Sequence, residues 1–190
     1  DHGDGVQTCA LPICVGKKEV RQKNEMVLLA VNKPVGIVCT EEKKEKNNII
    51  RFLNYPTRVT YIGRLDKDSE GLLLMTNNGD IINKMMRAGN QHEKEYKVTV
   101  NKPVTKEFIG KMAEGVPILN TVTRKCKVEM IGKYKFRIIL TQGLNRQIRR
   151  MCEYLGYKVT RLERIRVMNI TLGELKPGEY RKVTEAEIQK

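Results

Sequence analysis

The groups best suited to chemistry are gathered in one stretch, Gly63-Arg64-Leu65-Asp66-Lys67-Asp68-Ser69-Glu70-Gly71-Leu72-Leu73-Leu74-Met75-Thr76-Asn77-Asn78-Gly79. Clustered charges, Arg64, Asp66, Asp68 and Glu70, precede an apolar run, and glycines bound the whole. Residues 59–62 and 72–76 both read as buried strands from their length and aliphatic content, so the charged loop is clamped at each end. Carboxylates and guanidinium groups on a rigidly mounted loop are usual carriers of catalysis or binding. The plainer alternative is a surface turn with solvated charges. A second cluster of charge, Arg146, Arg149 and Arg150, follows Gly143 and Asn145. It reads either as a basic solvated face or as a place where something anionic is held.

The elements that must position these groups can be read in chain order. Residues 26–31 are an apolar strand candidate running into the turn Asn32-Lys33-Pro34-Val35-Gly36, with a second short strand at 37–40. The charge run 41–46 is a solvated loop. Residues 47–54 suit a short helix with Ile49, Ile50 and Leu53 on one face, ended by Tyr55-Pro56. Asp80 can cap a helix through residue 86, whose Ile81, Ile82, Met85 and Met86 recur at helical spacing and are expected in the core. Residues 94–100 alternate, with Tyr96, Val98 and Val100 facing one way.

Thr105 caps a helix reaching residue 114, and the stretches 126–130 and 134–141 alternate around Gly132 as a hairpin. Asn145 as N-cap and Gly156 as stop then bound a helix whose buried stripe is Ile148, Met151, Cys152 and Leu155. Its arginines point elsewhere, and the helix N-terminus adds positive potential toward the same region. Residues 158–170 form a strand region carrying Arg161, Arg164 and Arg166. A Pro177-Gly178 turn leads to a strand at 180–183, and Thr184 with Glu187 makes a capping box for a last short helix.

The 190 residues suit one domain and can bury a sizeable core. Lysine and arginine number 36 against 22 aspartate and glutamate, and the net charge of +14 calls for a polyanionic partner. No run of 18 apolar residues exists, and no amphipathic basic helix stands out, which argues against a membrane. The five cysteines, Cys9, Cys14, Cys39, Cys126 and Cys152, are odd in number and scattered, so a reducing cytoplasm is expected rather than a disulfide framework. Neither paired metal-ligand spacings nor a phosphate-binding glycine loop occurs, so no cofactor is expected.

The central stretch closely resembles the G-R-L-D-x-x-S-E-G-L-L-L-x-T-N signature of the ribosomal RNA pseudouridine synthases of the RsuA/RluF type. Three further motifs stand in the family's order: Asn32-Lys33-Pro34-Val35-Gly36 for N-K-P-x-G, Lys94-Glu95-Tyr96 for K-x-Y, and Gly143 through Met151 for G-x-N-R-Q-I-R-R-M. The resemblance implies a pseudouridine synthase fold of the α+β class, with a mixed, mainly antiparallel sheet, short flanking helices and a central catalytic cleft. It implies the isomerisation of uridine to pseudouridine without cofactor or metal, and assigns Asp66 as the catalytic carboxylate. Tyr96 is implied to lie against the target base, although by composition alone it reads as a core aromatic. Arg149, the basic residue after the isoleucine, is implied to pair with Asp66.

A stacked uridine must be flipped out to be reached. Arg64 is expected to fill the vacated space, and Ile148 to close the apolar side of the pocket. Lys33, Asn145, Arg146, Gln147 and Arg150 complete the expected RNA contacts, with Arg161, Arg164 and Arg166 lining the RNA path. Asp66 can attack the sugar, attack the base or take the C2′ proton, and the residues leave all three routes open. The branch most similar acts on large-subunit ribosomal RNA, with transfer RNA open as an additional substrate and a monomer expected. Residues 26–190 are read as the catalytic domain and 1–25 as a non-native or disordered lead and linker remnant, with the family's N-terminal S4-type domain missing. A non-catalytic RNA-binding or ribosome-assembly module on the same fold is the alternative.

Overall fold

The computed structural model describes residues 13–15, 18–20, 25–87 and 91–188. Ile13–Val15 (β1) and Lys18–Val20 (β2) pair as a small antiparallel hairpin separate from the main sheet. The lead expected over residues 1–25 therefore contains paired backbone, and its remaining residues other than Glu25 lie outside the described ones.

The main sheet begins at Leu28–Lys33 (β3), after which come the helix Ile49–Leu53 (α1), Thr60–Ile62 (β4) and Glu70–Thr76 (β5). Helix Gly79–Arg87 (α2) leads to Lys94–Val100 (β6), helix Lys106–Glu114 (α3) and the small pair Pro117–Ile118 (β7) and Thr121–Val122 (β8). Lys127–Gly132 (β9) and Lys135–Leu140 (β10) form the expected hairpin before helix Gln147–Tyr154 (α4). Val159–Val167 (β11), Ile170–Thr171 (β12), Tyr180–Lys182 (β13) and helix Glu185–Ile188 (α5) finish the chain. Seven strands run in the order β13-β3-β5-β11-β6-β10-β9, with β4 added to β5 and β12 to β11. Among these ladders only β5 with β11 is parallel, so the sheet is mixed and mainly antiparallel.

Why the central strands read as continuous apolar runs follows from their cover. Every residue of β3 is buried, and Leu72, Leu73, Leu74 and Met75 of β5 are at most 2% exposed, because both faces of this part of the sheet are packed. One face carries Leu29, Val31, Leu73 and Met75 against Ile49, Val59 and Leu65; the other carries Leu28, Ala30, Leu72 and Leu74 against Ile170, Leu172 and Leu175. A separate core joins β6, β10 and β11 to α3 and α4 through Val98, Phe108, Met112, Phe136, Ile138 and Met151.

The two halves meet at β5, which changes partner along one edge. Glu70 and Gly71 pair with Glu163 and Arg164 of β11, whereas Leu74 to Thr76 pair with Ile62 to Thr60 of β4; β3 occupies the other edge throughout. The sheet is thus forked at Leu72 and Leu73. A buried carbonyl at such a fork needs a donor, and Arg164 Nε donates to the Leu72 carbonyl oxygen at 2.9 Å. Gly71 sits where β5 and β11 cross. Its φ is +110°, and a Cβ there would stand 2.3 Å from the Arg164 carbonyl oxygen and 2.7 Å from the Arg164 nitrogen.

Several local expectations shift. Residues 37–40 form no strand: Val38 makes only an isolated bridge to Asn48, whose side chain caps α1. The carboxamide oxygen of Asn78, rather than Asp80, accepts from the first backbone N–H groups of α2. Ile81, Ile82 and Met85 of that helix pack half-buried against the Leu28–Leu74 core as expected, whereas Met86 is 57% exposed at the rim of the cleft. The Thr184–Glu187 capping box forms as expected, with Thr184 N–H donating to Glu187 Oε1 at 2.9 Å and Glu187 N–H to Thr184 Oγ1 at 3.3 Å. No helix of the described residues is long and apolar enough to cross a membrane.

The Gly71→Ala substitution must push two backbones apart in a left-handed conformation that alanine resists. Urea denaturation is expected to show a loss of more than about 3 kcal/mol, or no soluble protein at all. A variant within about 1 kcal/mol of wild type would mean that the crossing can open freely.

Candidate active site

The fork opens into a cleft of about 720 Å³. The loop 63–69 forms one wall, the 142–147 turn and the start of α4 another, and Tyr96, Leu162 and Arg164 the part between them. The loop is shaped from within by Ser69 N–H donating to the Asp66 carbonyl at 3.0 Å, and Leu65 is buried in the β3–β5 core.

The Asn32-Lys33-Pro34-Val35-Gly36 turn holds the loop from behind. Gly36 N–H donates to the Lys67 carbonyl at 2.8 Å. Lys33 is fully buried, and its Nζ donates to the carbonyls of Pro34 and Ile37, both at 2.8 Å, and to that of Lys67 at 3.5 Å. Burial pulls the Lys33 amine below the ordinary lysine range, against the opposing pull of Cys39, Asp68, Asp66 and Glu70. The expectation that Lys33 meets RNA is thus corrected: all its donors point into the protein, and its work is to pin the loop.

Asp66 lines the cleft with its side chain 39% exposed. Its ion-pair partner is Arg146, with Nη1 3.4 Å from Oδ2. The same guanidinium grips Asp68 with two bonds, Nη1 to Oδ1 at 3.0 Å and Nη2 to Oδ2 at 2.9 Å. This grip above all holds the Asp68 carboxyl below its usual range and raises Arg146 in turn.

Arg146 reaches both carboxylates from an unusual backbone. It is the N-cap of α4 with φ 47° and ψ 40°, a left-handed conformation uncommon for a non-glycine residue. Asn145 is therefore not the cap; its side-chain oxygen accepts from Arg150 Nη2 at 2.7 Å, which holds Arg150 against the turn outside the cleft lining. Gln147 is buried, its Oε1 accepting from Leu144 N–H at 3.1 Å, so it shapes the turn while its neighbour Ile148 gives the cleft an apolar patch.

The pairing expected between Arg149 and Asp66 is also corrected. Arg149 Nη2 donates to the Asp68 carbonyl at 2.9 Å and to Ser69 Oγ at 3.1 Å, and Nη1 lies 3.6 Å from Asp68 Oδ2. Lying within the first turn of α4, it reaches the far end of the loop, whereas the left-handed Arg146 is turned toward the front. Its Nε is buried without a hydrogen-bond partner.

The strand arginines spend their charge within the protein. Arg161 Nη2 lies 3.1 Å from Glu70 Oε1, and Arg166 Nε 2.7 Å from Glu95 Oε1 with Nη2 3.1 Å from Glu93. Neither lines the cleft: alternation places Arg161 on the face opposite Arg164, and the register shift between Arg164 and Arg166 turns Arg166 to that same opposite face, beside Glu95. Arg164 and Tyr96, opposite each other across the β11–β6 ladder, both do. Arg64 is exposed at the cleft, with Nη2 donating to the Cys39 carbonyl at 3.0 Å. The structure thus brings Asp66, Tyr96, Arg64, Asn145, Arg146, Gln147, Ile148 and Arg164 to one cleft, and leaves Lys33, Arg149, Arg150, Arg161 and Arg166 as supports or surface pairs.

Two cleft residues, Cys39 and Lys94, and the loop carboxylate Asp68 carry no site role in the sequence. Asp68 looks interchangeable with any other loop charge, Cys39 lies in a segment that reads as a strand, and Lys94 is only the first letter of a motif. Lys94 carried a usable signal, since it precedes Tyr96 by two and must share its face.

The model for RNA pseudouridylate synthases matches residues 27–154. The chain belongs to this family. Over 170 residues it is 59% identical to the dual-specificity RNA pseudouridine synthase RluF of Salmonella typhi, which covers 90% of this chain and 59% of that relative. The chain thus spans about three-fifths of the length of such relatives. It is 36% identical over 163 residues to the ribosomal small subunit pseudouridine synthase A of Salmonella typhimurium, covering 83% of this chain and 71% of the relative. A crystal structure of a pseudouridylate synthase superposes with a TM-score of 0.80 at 31% identity over 90% of this chain and 76% of that chain.

If Lys33 pins the loop, Lys33→Met leaves the carbonyls of Pro34 and Ile37 without their donor and is expected to cost about 3 kcal/mol of stability. The slope of RNA affinity against salt should stay as in wild type, because no phosphate contact is lost. A stable variant with a shallower salt slope would return Lys33 to the RNA.

Proposed function

We propose that the chain isomerises a uridine of ribosomal RNA to pseudouridine, with residues 26–190 as the catalytic domain and large-subunit RNA as the substrate. The observation that carries this reading is that Asp66 is the one carboxylate lining the cleft among the described residues, and it stands beside a guanidinium and an aromatic ring. The reaction breaks the C1′–N1 bond, turns the uracil within the site and joins C5 to C1′; the C5 proton leaves and N1 gains one. Nothing is oxidised, and a single reacting carboxylate suffices.

Each neighbour then has a task. Arg146 orients the Asp66 carboxylate, and because its stronger bonds go to Asp68, it leaves Asp66 open to substrate. Arg149 fixes the loop through Ser69 and the Asp68 backbone. Tyr96 offers a flat surface for the extruded base, and Ile148 its apolar flank. Arg64, exposed at the rim, is placed to enter the space the flipped nucleotide leaves. The names of the relatives, one dual-specific and others acting on the small ribosomal subunit, support an RNA substrate for this chain as well.

Asp66→Asn keeps the shape and removes the charge. It is expected to abolish pseudouridine formation, read by chemical mapping of ribosomal RNA, while melting temperature and RNA affinity stay near wild type. Turnover above about one per cent of wild type would leave only a non-catalytic RNA-binding role for this carboxylate.

The two arginines separate by a second measurement. Arg146→Met should slow single-turnover isomerisation by about two orders of magnitude at saturating enzyme with little loss of stability, as expected for an orienting contact. Arg149→Met removes buried loop anchors and should lower both the rate and the unfolding free energy, the latter by about 2 kcal/mol. A wild-type rate for Arg146→Met would hand the orienting role back to Arg149.

A further inference from the structure

The cleft is strongly one-sided in charge. Against the single carboxylate of Asp66 it presents Arg64, Lys67, Lys94, Arg146 and Arg164 among the described residues. Two of these are already engaged: Arg64 by the Cys39 carbonyl and Arg146 by Asp68. Lys67 is exposed at the outer side of the loop.

Lys94 and Arg164 differ from the rest. Lys94 is half-buried and has no carboxylate or carbonyl partner among the described residues. Its amine is pulled below the ordinary lysine range, first by burial and then by the charge of Arg164. Arg164 is only 5% exposed and is tethered through Nε alone, by its bond to the Leu72 carbonyl. Burying two like charges side by side with no anion is unfavourable, and folded proteins keep such an arrangement where a ligand supplies the missing charge. The tether also fixes where the Arg164 guanidinium sits, so little ordering remains to be done on binding.

Their place in the sheet specifies the ligand further. Lys94 and Tyr96 lie two apart on β6 and share a face, and Arg164 is paired with Tyr96 across the ladder. The Lys94 Nζ stands 3.9 Å from where a Cβ on Gly143 would be, at the start of the turn that carries Arg146. Two cations therefore flank the ring on which a base can stack. Resting on the reading of this cleft as a uridine-modifying site, we propose that Lys94 and Arg164 form a seat for a phosphate of the very nucleotide whose base lies on Tyr96. They hold the extruded nucleotide by its own backbone, distinct from the phosphate contacts that position the rest of the RNA.

Protein-observed NMR titration of the whole chain with uridine, uridine 5′-monophosphate, uridine 3′-monophosphate and inorganic phosphate tests this directly. Wild type is expected to bind one monophosphate about tenfold more tightly than uridine or inorganic phosphate, the order of one charge-assisted contact. Lys94→Gln should erase the preference and Lys94→Arg keep it. Lys97→Gln, on the same strand but exposed, should leave it untouched. Equal binding of uridine and both monophosphates by wild type, a preference that survives Lys94→Gln, or binding of inorganic phosphate as tight as that of the nucleotide would overturn the seat.

Isomerisation of ribosomal RNA by the same preparation separates the two readings. An active wild-type protein with no phosphate preference refutes the seat alone. A preference in a protein that isomerises no RNA leaves the seat standing and refutes the proposed function.

Discussion

A strand that exchanges one neighbour for another partway along its edge leaves backbone groups stranded at the exchange, and β5 does this in the middle of the molecule. The remedy is a long side chain from the departing neighbour: Arg164 of β11 reaches back to the Leu72 carbonyl. The cleft is arranged around that repair. The gap between β4 and β11 is where the cleft lies, the loop 63–69 returns β4 to the head of β5, and the crossing at Gly71 keeps β11 near enough for the repair to be made. Glycine is needed there because the approach of two backbones, rather than of side chains, sets the distance.

Charge is distributed with similar economy. The net +14 of the chain suggests a surface crowded with free cations. Instead Arg161 and Arg166 face Glu70 and Glu95, and Arg149 braces a loop. Surface pairs of that kind add little stability, but they determine where positive potential is left over. Part of it remains in the cleft, where Asp66 meets it almost alone.

Periodicity and turn chemistry made most of the strands legible. The apolar runs of β3 and β5, the alternation of β6, the hairpin of β9 with β10 and the Thr184–Glu187 box all stand within a few residues of where their patterns put them. The failures have a common cause. Arg161 and Arg166 are placed by residue type, Lys33 and Arg149 by their positions in family motifs, and a cation reads the same in a sequence whether its partner is a phosphate or a carbonyl two loops away. The partner depends on tertiary approach, as with Lys33 and Lys67, 34 positions apart. The left-handed Arg146 was equally hidden, since no local signal marks a residue held in a costly conformation by what it grips.

The support of the loop 63–69 does not end at Lys33. Its neighbour Asn32 donates through its side chain to the Leu175 carbonyl at 2.9 Å and through its backbone to Glu179, and accepts from Gly178 N–H. Strand β13 then seals the edge of β3. A ribosome delivers these residues 143 positions after the turn they support. Until the segment 175–182 has left the exit tunnel, β3 lacks its outer neighbour and the turn that pins Asp66 lacks its own footing. A nascent chain stalled before that point would carry every residue of the cleft without the geometry that arranges them.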